Sequence, residues 1–207
     1  MVIVLVLLLA PESCAMDVCA TRFANRIPAM IILRLSYCVI MFIFDASTLI
    51  LIAKAELLGP LLASIELEVA IPPQVERECC GVKRTLDALL IQKALDDSRI
   101  RVIAVKNRRL VARLQADFSL GKGEAEAIAL AHTEEARILG IDDKNGINAC
   151  KLLGIAFTTA IGILVRSREK GLVERDAAIA KLATLARHGR YKNSVVEEAR
   201  MKLEGEQ

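Results

Sequence analysis

Residues 41–64 read MFIFDASTLILIAKAELLGPLLAS, and the fold turns on how they divide. The first four are an unbroken apolar run, the pattern of a strand buried on both faces, and the run stops at Asp45. Helical material follows, with a break expected at Gly59-Pro60. A short strand that ends on an acid and passes directly into a helix is one unit of a parallel α/β sheet. It leaves Asp45 at the carboxyl edge, where such sheets bind ligands.

The same unit recurs along the chain. ELEVAIPP is a second strand halted by Pro72 and Pro73, and the helical stretch after it carries Glu76 and Glu78 in its first turn, with Gly81 as an interruption. RIRVIAV, residues 99–105, is a third strand, followed by a basic helix in KNRRLVARLQADF. LGKGEAEAIALA, residues 120–131, opens a helix with Glu124 and Glu126 at its threshold. ARILGIDD is a fourth strand ending at Asp142 and Asp143, KNGINACKLLG a short helix, IAFTT a short strand, and residues 160–203 are helical. Strand alternating with helix predicts an α/β fold with a central parallel sheet covered on both faces.

The chain has 207 residues, enough for one domain with a substantial core and an appendage. Aromatics are 3% and Trp is absent, which argues against a base-stacking surface. Six cysteines lack C-x-x-C spacing and there are two histidines, so a Cys/His zinc site is poorly supported and the thiols read as reduced residues of a cytoplasmic protein. A net charge of +3 is no nucleic-acid signature by itself. Its distribution matters more: Lys106, Arg108, Arg109 and Arg113 form one basic group, and Arg166, Arg168 and Lys170 another, either solvated helix faces or contacts to a phosphate backbone.

MVIVLVLLLA at the start lacks a positive flank and is too short to span a bilayer, and MIILRLSYCVIMFIF is interrupted by Arg34, so no stable membrane span is expected. Residues 1–40 are expected to be an N-terminal extension: a start-site artefact preceding Met41, or a weak signal or anchor.

The chemistry lies in the carboxylates. Asp45 and Asp142/Asp143 fall at one sheet edge, and Glu78 and Glu124 start helices that can point there. Taken singly, each acid has a local explanation, as a helix cap or a macrodipole partner. Taken together they recur at one edge. Gathered carboxylates repel unless protonated or neutralised by a cation, and hard oxygen ligands select Mg²⁺ or Mn²⁺. Such a site polarises a phosphodiester and activates water. Ser47 hydrogen-bonds a ligand carboxylate or caps the following helix.

FDASTLILIAKAELL resembles the opening D-x-S/T of PIN domains, and IPPQVERE is similar to their P-x-x-V-x-x-E segment, with Glu78 in the acid position. LGKGEAEAIALA, ILGIDDKNG and FTTAIGILVRSREKGLV resemble segments of a prokaryotic PIN subfamily related to VapC toxins. The resemblance runs from Met41 to Val173 and leaves 174–207 as a C-terminal helical segment. It implies a three-layer α/β/α fold and Mg²⁺- or Mn²⁺-dependent endoribonuclease activity. Asp45, Glu78, Glu124 and Asp142 or Asp143 would be the metal-binding catalytic quartet. Many PIN domains carry Asp as the third acid; here Glu124 and Glu126 compete, and Glu124 is preferred because it shares a helix face with Ile128 and Ala131.

RNA is the expected partner, with Arg108, Arg109, Arg113, Arg166 and Arg168 as contacts. A small antitoxin and a homodimer are further expectations. Two other classes stay open: a non-catalytic PIN-like module binding RNA or protein, and an aspartyl-phosphate receiver or phosphatase, which would normally need an acid where Ser47 stands.

Overall fold

The computed structural model describes residues 40–81 and 85–205, and the expectations for the N-terminal extension lie, apart from Ile40, outside the described residues. The apolar run is the central strand, β1 (Met41–Phe44). It pairs in parallel with β2 (Glu68–Ile71) on one side and β4 (Ile138–Gly140) on the other. β3 (Arg101–Val102) lies outside β2 and β5 (Phe157–Thr158) outside β4, giving the order β3-β2-β1-β4-β5. The order reverses direction between β1 and β4. That is the topological switch, where an open parallel sheet parts its crossovers and leaves a crevice.

Phe42, Ile43 and Phe44 are fully buried, and the two phenyl rings, on one face by the two-residue period of a strand, stack with centroids 4.1 Å apart. Phe44 pairs with Gly140, where an added Cβ would come within 2.5 Å of the ring, so β1 and β4 close around a residue with no side chain.

Ten helices lie among the described residues: α1 (Ala46–Lys54), α2 (Leu58–Ser64), α3 (Pro73–Cys80), α4 (Leu86–Asp96), α5 (Arg108–Phe118), α6 (Lys122–Thr133), α7 (Lys144–Leu153), α8 (Ala160–Glu169), α9 (Arg175–His188) and α10 (Asn193–Glu204). α1 packs with α2, α4, α8 and α9 in one layer; α5, α6 and α7 pack together, with α6 against β1 and β4. The architecture is a three-layer α/β/α fold around a parallel sheet. α6 is buried on every side, and its alanines at 125, 127, 129 and 131 let neighbours approach closely.

Three local expectations change. The break after α1 comes at Glu56, in the left-handed region at φ 53°, with Leu57 N–H bonding back to Ile52 O; Pro60 instead lies in the first turn of α2, where a missing N–H leaves no bond unmade. The third strand shrinks from seven residues to Arg101–Val102, because Arg99 and Ile100 still donate to Ala94 O at the end of α4. Pro73 occupies the first position of α3, which puts Glu78 in the second turn and only Glu76 in the first.

No single helix among the described residues is long and apolar enough to cross a membrane.

Candidate active site

The end of β1 delivers Asp45 as the N-cap of α1, its Oδ1 accepting from Thr48 N at 2.8 Å and its Oδ2 from Ser47 Oγ at 2.6 Å. Ser47 thus orients the acid. The end of β4 delivers Asp142, whose Oδ2 accepts from Ala160 N at the start of α8 (3.0 Å) and whose Oδ1 accepts from the phenol of Tyr191. These two carboxylates flank the β1/β4 switch. Burial pushes Asp45 up to about 7, against its Ser47 and Thr48 hydrogen bonds, and the charge of Asp142 adds to the rise. Burial also raises Asp142, against donations from Tyr191 and Ala160.

Thr48 sits between them. Its buried hydroxyl lies beside both carboxylates and makes no hydrogen bond. Cys150 of α7 is also close to Asp45, and burial followed by that charge pushes its thiol up to about 12, which leaves it inert.

A second group lies beside the first. Glu124 folds back to accept from Gly121 N at 2.9 Å, half of a capping box, since Gly121 has no side chain to return the bond. Burial raises Glu124, and the charges of Asp143 and Glu78 add to that. Glu78 accepts from Gln74 Nε2 at 3.0 Å, and its carboxylate lies against Gly123, where an added Cβ would meet Oε2 at 2.6 Å. Asp143 caps α7, accepting from Asn145 N (2.7 Å) and Gly146 N (2.9 Å) with one oxygen. The two adjacent aspartates therefore part: Asp142 faces Asp45, and Asp143 faces Glu124.

Glu126 does something else. It is 1% exposed and accepts from Gln74 N (3.2 Å) and Arg108 (2.8 Å), so it ties α6 to the start of α3 and to α5. Arg108 is thereby engaged in an ion pair, although 62% exposed. Arg109 and Arg113 stand exposed on the same helix. Arg166 and Arg168 occupy the last turn of α8, roughly 10 Å along its axis from the end that meets Asp142, and Arg166 pairs with Glu169. Sequence reasoning named neither Thr48 nor Tyr191 as a member of the site. Tyr191 had one faint signal: no other Phe, Tyr or Trp occurs after Phe157.

Two observations test the site against a divalent cation. No described ion pair engages Asp45, Asp142, Asp143 or Glu124, so protein cations leave their charge in place, and Thr48 presents an unpartnered hard oxygen between two carboxylates. Such a donor set fits Mg²⁺ or Mn²⁺ chemistry. Against this, among the described residues no three acidic, histidine or cysteine side chains converge into a ready-made metal cage. The acids are grouped as an inner pair and an outer trio.

No curated protein matches the chain. A family model described as PIN domain matches residues 41–206, from the first residue of β1 to beyond the end of α10. The chain belongs to the PIN-domain family.

Proposed function

We propose that the protein is a divalent-cation-dependent endoribonuclease that hydrolyses phosphodiester bonds in RNA. One observation carries the reading: Asp45, fully buried, and Asp142, half-buried, lie beside each other at the sheet switch with neutral donors as their hydrogen-bond partners, an arrangement that repels itself until a cation arrives. Asp45 and Asp142 would hold Mg²⁺ or Mn²⁺, with Glu78, Glu124 and Asp143 beside them. When bound, the cation polarises a phosphodiester and lowers the pKa of a coordinated water. Ser47 and the Thr48 amide fix the direction of Asp45, and the Ala160 amide fixes Asp142. Arg109 and Arg113, exposed on the helix that joins α6 through Arg108, offer charge to the RNA backbone; Arg166 and Arg168 serve a longer strand or none.

The test is cleavage of a fluorescent single-stranded RNA in Mn²⁺ or Mg²⁺ by wild type and Asp45→Asn. Activity that survives both this substitution and EDTA sinks the reading. The setting we assign to the activity is the cytoplasm, as a toxin restrained by a small antitoxin. Growth arrest on induction, absent for Asp45→Asn and relieved by a co-expressed partner, supports it; light scattering decides whether the partner meets a monomer or a homodimer.

The absence of a three-acid cage among the described residues favours one alternative, a PIN-like module that binds RNA without cutting it. Mn²⁺ uptake in calorimetry with intact RNA afterwards identifies that case.

A further inference from the structure

The turn between α9 and α10, residues 189–192, reaches the acid edge with Tyr191, whose phenol donates to Asp142 Oδ1. We infer that Tyr191 is a positioning residue of the cation site: its phenol aims the Asp142 carboxylate at Asp45 while leaving the charge of both acids uncompensated. This inference rests on the cation reading above.

Lone-pair accounting supports it. An ionised aspartate offers about four acceptor positions. Asp142 gives one to Tyr191 and one to Ala160 N, and Asp45 gives one to Thr48 N and one to Ser47 Oγ. Each oxygen is therefore fixed by one neutral donor and keeps a second lone pair for a ligand. A lysine or arginine in place of Tyr191 would fix Asp142 equally well but cancel the charge that draws a cation.

The delivery of the phenol is built into the fold. Gly189 has φ −92° and ψ 163°, a conformation open to any residue, so its lack of a side chain serves space and not backbone freedom. A Cβ there would fall 2.2 Å from the Tyr191 ring and 2.9 Å from Leu185 O. The ring folds back across the end of α9 to reach Asp142. α9 in turn is anchored to the helix that Asp45 caps, since Lys181 Nζ donates to Ala55 O at 2.8 Å. α10 packs on α8, whose first amide holds the other oxygen of Asp142. Residues beyond Val173 are thereby part of the site.

The experiment is Mn²⁺ titration by calorimetry of the full chain as wild type, Tyr191→Phe, Gly189→Ala and Asp45→Asn, with urea unfolding of each in EDTA. Outer partners of metal ligands are worth about 10–100-fold in affinity. Tyr191→Phe is expected to weaken Mn²⁺ binding by about tenfold or more. Gly189→Ala, which keeps the phenol but displaces its ring, is expected to weaken it similarly, and Asp45→Asn to abolish it. A purely structural tyrosine would shift the urea midpoint and leave Mn²⁺ affinity alone; that result overturns the inference while the cation reading stands. Tighter binding by Tyr191→Phe overturns it too, by making the phenol a competitor. Unchanged binding by Asp45→Asn, or none by wild type, removes the cation reading and this inference together.

Discussion

Replacing Asp45, the first acid of the sheet edge, by its amide should make this protein more stable when no cation is present. Asp45 has no exposed surface and its carboxyl is pushed up to about 7 from 3.8, chiefly by burial. Below pH 4 the group is protonated in folded and unfolded chains alike, and it penalises neither. Between about pH 4 and 7 the unfolded chain gives up the proton and the folded chain keeps it, so each rise in pH favours unfolding. Above 7 the loss is complete and constant. Three units of displacement correspond to about 4 kcal/mol, a ceiling, since Asp45→Asn also weakens two hydrogen bonds, from Ser47 and the Thr48 amide, each from about 1.5–3 kcal/mol with a charged acceptor to about 0.5–1.5 kcal/mol with a neutral one. A net gain of about 1–2 kcal/mol remains at pH 8, or about 2–8 °C in Tm for a domain of this size. Thermal melts of both proteins in EDTA from pH 4 to 8 read this directly. The reasoning fails if Asp45→Asn melts at or below wild type at pH 8, or if the gap does not close toward pH 4. Adding Mn²⁺ should reverse the order, because a ligand bound only by the folded wild type stabilises it by about 2.7 kcal/mol at a hundredfold excess over Kd.

Glu126→Ala leaves Gln74 N without its acceptor and should cost about 1–3 kcal/mol in urea unfolding, with Glu126→Gln costing less because an acceptor remains; equal midpoints for Ala and wild type would show that this carboxylate does not hold α3. Gly140→Ala forces a Cβ into the Phe44 ring and should cost about 1–3 kcal/mol, read by the same assay, a neutral result meaning that β1 and β4 have room to spare. Gly123→Ala meets only the far end of the Glu78 side chain, so the melting temperature should hold while Mn²⁺ affinity falls as the carboxylate is displaced; unchanged affinity would place Glu78 outside the cation site.

What the sequence made legible was whatever short-range pattern alone determines. MFIFD announces a buried strand ending on an acid, and the pair Asp142-Asp143 after ILGI announces another; both meet at the switch because parallel pairing puts the carboxyl ends of β1 and β4 side by side. The choice between Glu124 and Glu126 was open for a physical reason. Sharing a face with Ile128 and Ala131 distinguishes residues only on an amphipathic helix, and α6 is buried all round. The two glutamates are told apart by partners from elsewhere, Arg108 for one and Asp143 with Glu78 for the other. Glu56 hid the break after α1 because a non-glycine residue takes the left-handed conformation there. Tyr191 escaped because 49 positions separate it from Asp142 and no periodicity links them.

On the proposed reading, the distribution of positive charge separates the acids that build from the acids that would act. Arg108 goes to Glu126, the carboxylate that fastens α6 to α3, while Asp45 and Asp142 are held by a serine, a phenol and backbone amides. Direct pairing with an arginine would relieve the inner pair of its repulsion, and would also remove the attraction for a divalent ion. Hydrogen bonds from neutral groups orient a carboxylate at the cost of leaving its charge in a buried place. On the proposed reading, a fold that tolerates that cost at Asp45 and in part at Asp142, while neutralising a third acid only two residues from Glu124, would keep its instability where an incoming cation removes it. On this argument the raised Asp45 carboxyl and the unpartnered Thr48 hydroxyl have one cause, a site completed by something the chain does not itself supply.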